Sequence, residues 1–116
     1  MDRPVSSKFM GHEYEIKWFP KNEITLNPED TGAPVAIRCF GLTDMENLTI
    51  SIEEGMPPTL EKAVLVHEVL HQLCASSGLG LDPELEEKIV TFYGEAIHAH
   101  VQSNKSFWRY ILRNPK

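Results

Sequence analysis

Cysteine is scarce in this sequence, with Cys39 and Cys74 its only thiols. In a chain with no visible secretory leader they are expected to stay reduced, and their separation fits no zinc-ribbon pattern. Long apolar runs are missing as well. No stretch approaches the roughly 20 apolar residues that cross a bilayer, and Met1 to Met10 lacks the apolar core of a secretory signal. The expectation is a cytoplasmic protein with no membrane partner. Concentrated positive charge is the third absence. Eleven Lys and Arg are scattered among 17 Asp and Glu, giving a net charge of -6, so no nucleic-acid partner is expected. No repeat or low-complexity tract interrupts the chain.

What is present suits one folded unit. A hydrophobic content of 41% and a charged content of 24% over 116 residues match an ordinary globular domain, and a single domain spanning 1–116 is expected. Glu13 to Phe19 alternates, with Tyr14, Ile16 and Trp18 on one face, as a half-buried strand does. Asn22 to Pro34 is rich in turn-forming residues and reads as a loop. Val35 to Phe40 and Leu48 to Ile52 read as short strands joined by Gly41 to Asn47, and are expected to pair antiparallel. One edge of Leu48 to Ile52 is expected to stay free.

Three helices are expected to follow. The first runs from Pro57 to Ser77, with Thr59 as its N-cap, Glu61 in its first turn and Gly78 as its stop. Asp82 caps the second, with Pro83 at its first position, and it continues to about Ser103. Leu85, Ile89, Phe92, Tyr93 and Ala96 mark its expected inward face, with Val90 and Ile97 beside it. Asn104 can cap a last short helix carrying Phe107, Trp108, Ile111 and Leu112 and ended by Pro115. Strands first and helices after make the fold class α+β.

The chemistry lies in His67-Glu68-Val69-Leu70-His71. This HExxH pattern falls inside the expected first helix, where residues four apart share a face and both imidazoles can address one metal ion. A zinc ion there acidifies its bound water, and Glu68, beside the first histidine, can take that water's proton as general base. Left unpaired in so apolar a helix, these polar groups would cost about 1 to 3 kcal/mol each. The bland reading is an ordinary helical turn with hydrogen-bonded histidines.

A third ligand is needed. Glu84, Glu86, Glu87, Glu95, His98 and His100 are the downstream candidates. Glu84 suits the helix macrodipole better than a metal. His98 and His100 point to different sides of a helix, so exposure is their default. Glu87 shares a stripe with the small residues Thr91 and Gly94, which favour close helix approach, and stands ahead of Glu86 on that ground. Tyr93 could face the site as an oxyanion donor, but a core role is the better expectation. Cys74, one turn beyond His71, reads as a small buried residue.

Taken in order, YEIKWF, FGLTDMENLTISI, LVHEVLHQL and GLGLDPELEEKIVTFYGEAI resemble the small zincin-like metallopeptidases of the ImmA/IrrE and phage-encoded type, over Tyr14 to Pro115. The resemblance implies a minimal zincin-like fold, a small antiparallel sheet packed on the HExxH helix with a second ligand-bearing helix. It also implies one Zn2+ held by His67, His71 and Glu87, with Glu68 catalytic. The implied activity is hydrolysis of a peptide bond in a protein or peptide substrate by Glu-assisted attack of zinc-bound water. Two other readings remain: a non-catalytic zinc-binding module for protein interaction, and a structural zinc with four protein ligands.

Overall fold

The computed structural model describes residues 3–26, 32 and 35–113. Its first strands, β1 (Ser6–Phe9) and β2 (His12–Phe19), form an antiparallel hairpin. Met10 and Gly11, at φ 52° and 81°, make its two-residue turn, the backbone that a right-twisted hairpin favours. A small antiparallel ribbon follows, made by β3 (Thr25–Leu26) and β4 (Ile37–Arg38). Next come β5 (Gly41–Asp44) and β6 (Thr49–Glu53).

The main sheet has the order β1-β2-β6-β5. It is mixed, which corrects the antiparallel expectation: β6 lies parallel to β2 and antiparallel to β5. Parallel neighbours need a long crossover, and the chain between Phe19 and Thr49 supplies it. The strand paired with β6 is Gly41–Asp44, within the expected connection, while Ile37 and Arg38 pair with β3 instead. The turn itself is confined to Met45–Leu48. Asp44 organises it: its carboxylate accepts from the backbone N–H groups of Glu46 and Asn47 and from Asn47 Nδ2, at 3.0, 3.1 and 2.8 Å. Among the described residues β6 is paired on both sides and β5 ends the sheet, so the free edge expected of β6 belongs to β5.

Three helices are present among the described residues: α1 (Pro58–Ser77), α2 (Pro83–Ser103) and α3 (Lys105–Leu112). Pro57, not Thr59, occupies the N-cap position of α1, and no side chain caps that end. Gly78, at φ 73°, stops it. Asp82 caps α2 as expected, accepting from Leu85 N at 3.0 Å. Asn104 stands at the start of α3 without capping it, because its side chain donates to His100 O. The expected stop at Pro115 lies outside the described residues. No helix of the described residues is long and apolar enough to cross a membrane.

The core sits between the sheet and α1. Tyr14, Ile16, Ile50 and Ile52 are buried together, and Val64, Leu65 and Val69 of α1 pack against them with Trp18 and Met56. Covering each isoleucine contributes about 1.5 to 3 kcal/mol. Register fixes what else faces the helix. Ile16 pairs with Ile50 and Trp18 with Ile52 across β2 and β6, while Gly41 and Thr43 of β5 stand opposite Ile52 and Ile50. Gly41 and Thr43 therefore look toward α1.

On its other side α1 packs against α2, through a stripe that differs from the expected one. Val90 and Gly94 are buried and Glu86 and Ile97 half-buried, whereas Leu85, Phe92 and Tyr93 are exposed. Packing is decided by closeness. A Cβ on Gly94 would stand only 3.6 Å from the His67 Cα, so the helix axes approach along the residues that carry least bulk. The large side chains are turned outward as a result.

Candidate metal centre

The two histidines of the motif lie one turn apart on α1, with ring centroids 5.1 Å from one another. α2 runs across them and presents Glu87. One carboxylate oxygen of Glu87 is 3.1 Å from His67 Nε2, and the other is 3.0 Å from His71 Nε2. His67, His71 and Glu87 each offer a ligand atom, all within 4.8 Å of one another. Imidazole nitrogens and a carboxylate oxygen are donors that a zinc ion takes, so these three side chains could hold a metal ion. Thr91, one turn along α2, donates to Glu87 Oε1 at 3.3 Å and steadies the carboxylate.

Glu86 takes a different position. Its Oε2 lies 2.7 Å from His71 Nδ1, on the ring edge away from Glu87, and both side chains are largely buried. With the proton on Nδ1 shared with Glu86, His71 keeps its Nε2 lone pair for a metal. The two adjacent glutamates thus approach opposite nitrogens of one imidazole.

Glu68 borders the same cleft as the histidines and is held against β5. It is 8% exposed, and Thr43 Oγ1 lies 2.8 Å from its Oε1 and 2.9 Å from its backbone oxygen. Burial raises the carboxyl pKa above the ordinary glutamate value, the Thr43 bond and the two imidazoles pull it down, and Glu87 pushes it up. A carboxylate so placed holds its proton to higher pH than a solvated one. Gly41 makes the burial possible. A Cβ there would fall 2.8 Å from both Glu68 Cγ and Val64 Cγ1.

The other candidates stand apart from this cluster. Glu84 pairs with Lys88 at 3.5 Å on the surface. His98 is half-buried instead of exposed, with Nε2 enclosed and, among the described residues, without a hydrogen-bond partner. His100 accepts from Trp108 Nε1 at 2.9 Å and is tied to α3. Tyr93 is 53% exposed and meets Phe92 edge-on, so it is not the core residue expected. Cys74 is partly buried and outside the cluster, and burial raises its thiol pKa.

A cleft of about 390 Å³ opens over the histidines, between Leu26, Cys39 and β5 on one side and Glu86 and Glu87 on the other. Thr43 and Gly41 are the residues that sequence reasoning missed. Their side chains carry no motif, and only a correct β5 register would have aimed them at Glu68. The chain matches no family model, no curated protein and no solved structure.

Proposed function

We propose that this protein is a zinc-dependent peptidase with a zincin-like arrangement of its site. The observation that carries the reading is the Glu87 carboxylate reaching Nε2 of both His67 and His71, with Glu68 buried beside them on the same helix. His67, His71 and Glu87 would hold the ion, and three protein ligands leave a position for water or substrate. Bound zinc supplies Lewis acidity toward the scissile carbonyl and acidifies water. Glu68 accepts the proton of the attacking water and passes it to the departing amine. Thr43 orients Glu68, and Glu86 orients His71.

The free edge of β5 supports a peptide as the substrate. Phe40 O accepts from Glu53 N, which makes Phe40–Glu53 a hydrogen-bonded pair of the β5–β6 ladder. By alternation Leu42 and Asp44 bond toward β6, and the backbone groups of Gly41 and Thr43 face the open side. That side borders the cleft, so an extended peptide can add as a further strand above the histidines.

Zinc analysis and peptide cleavage together test this. One zinc per chain in the wild type, loss of zinc in His71→Ala and Glu87→Ala, and retained zinc without turnover in Glu68→Gln are expected. Full activity in Glu68→Gln would end its assignment as base. A second reading, a non-catalytic zinc-binding interaction module, is favoured by the exposed apolar side chains of Phe92 on α2 and of Phe107, Ile111 and Leu112 on α3. It predicts the same zinc content with no cleavage of any peptide by the wild type.

A further inference from the structure

His67 and Glu68 also line a second cavity, of about 290 Å³. Phe40 enters it from the link between β4 and β5, Ala63 and Val64 come from the turn of α1 before His67, and Thr91, Gly94 and Glu95 come from α2. Buried Gly94 lies deep in it, where the two helices approach backbone to backbone. Exposed Thr91 and Glu95 stand at its mouth. Phe40, Ala63 and Val64 give it an apolar side, and His67, Glu68, Thr91 and Glu95 line the rest. Its volume is below the roughly 300 Å³ at which pockets for drug-sized ligands begin, and suits a single side chain.

Charge narrows which side chain. Glu68 and Glu95 are the carboxylates of the lining, and among the described residues no Lys or Arg contributes to it. Glu68 is engaged by Thr43, whereas Lys88, the cation nearest to Glu95 along α2, is paired with Glu84. An apolar side with a carboxylate at the mouth is complementary to a side chain with an apolar stem and a cationic head. Resting on the peptidase reading above, we infer that this cavity is a specificity pocket that receives a lysine or arginine of the substrate peptide beside the scissile bond. Phe40, Ala63 and Val64 hold the stem, and Glu95 selects the charge. Glu95 is a specificity residue, with no part in zinc binding or proton transfer.

The test is calorimetric binding of dipeptides that carry a zinc-chelating hydroxamate, with Lys, Leu or Glu as the adjoining residue, to the full zinc-loaded chain. Wild type, Glu95→Gln and Glu95→Lys are compared, and Glu95 is exposed enough for both variants to fold. The wild type is expected to bind the Lys compound about tenfold more tightly than the Glu compound, Glu95→Gln to lose most of that ratio, and Glu95→Lys to invert it. Cleavage of matched Lys and Glu peptides should follow the same order. Zinc-dependent binding of all three compounds with a ratio unmoved by either variant would overturn the pocket and leave the metal site standing. Absence of zinc-dependent binding by any of them would overturn the pocket and the open metal centre together.

Discussion

Nδ1 of His71 lies 2.7 Å from Oε2 of Glu86, on the far side of the ring from the atoms that converge with Glu87. The contact holds the ring's orientation, and such partners typically contribute 10- to 100-fold to metal affinity. Glu86→Ala should therefore weaken zinc binding by about that factor while leaving a stoichiometric site at saturating metal. Glu86→Gln, which can still accept from Nδ1–H, should recover much of the loss. Competition against a chromogenic chelator measures both. Equal and complete loss in Glu86→Ala and Glu87→Ala would mean that the two carboxylates do not divide their roles in this way.

Gly41 and Glu68 make a second paired claim. Gly41→Ala puts a methyl group 2.8 Å from Glu68 Cγ and Val64 Cγ1, so either β5 lifts from α1 or Glu68 leaves its place against Thr43. Overpacking of this kind costs about 1 to 3 kcal/mol. The expected result is a lower midpoint in urea together with loss of turnover in the protein that remains folded. An unchanged midpoint with full turnover would show that the β5–α1 contact is looser than described.

Much of this was open to reading from the sequence, and the failures share a cause. HEVLH, the Asp82 cap, the Gly78 stop and the alternation of Tyr14, Ile16 and Trp18 are local patterns, each set by residues within a turn or two. The small residues on its stripe ranked Glu87 ahead of Glu86 without excluding the latter, and the family resemblance favoured it further; the structure brings its carboxylate to the two histidines. Strand pairing did not follow from the sequence. Gly41 and Asp44 look like turn residues, yet the first is a glycine because Glu68 lies above it, and the second caps the turn that follows. β1 was missed because Ser6 and Ser7 are polar and Met10-Gly11 is not a common hairpin signature. Phe92 and Tyr93 were placed inward by hydrophobicity, whereas Gly94 decides which face of α2 can approach α1.

Glu53 carries a pH dependence for the fold. It is 2% exposed at the end of β6, where the Arg38 guanidinium binds its carboxylate and Asn22 N–H donates at 3.0 Å. The Arg38 bonds first, and then the Asn22 bond, hold its carboxyl below the ordinary glutamate value. A pKa depressed on folding stabilises the native state above the unfolded value of about 4.3, and the benefit is lost as pH falls through the lower folded value. Melting temperature should accordingly drop on acidification across that window. Glu53→Gln should be less stable than wild type near neutrality and show a shallower acid limb. Parallel acid limbs in the two proteins would exclude Glu53 as a source of the dependence.

The β5 edge makes the last prediction, and its signature is periodicity. Because Gly41 and Thr43 turn their backbone groups outward while Leu42 and Asp44 bond to β6, an added peptide strand can form ladder bonds only through alternate residues. In a cleaved peptide, N-methylation at successive positions should therefore lower kcat/KM in alternation, by about tenfold where an N–H faces β5 and much less where it faces solvent. Proline at Thr49 or Ser51, inside the sheet, would not report on docking, since it would break the β2–β6–β5 ladder itself. Uniform tolerance of N-methylation along the peptide would mean that the substrate is held by its side chains, and that the edge of β5 has no part in binding.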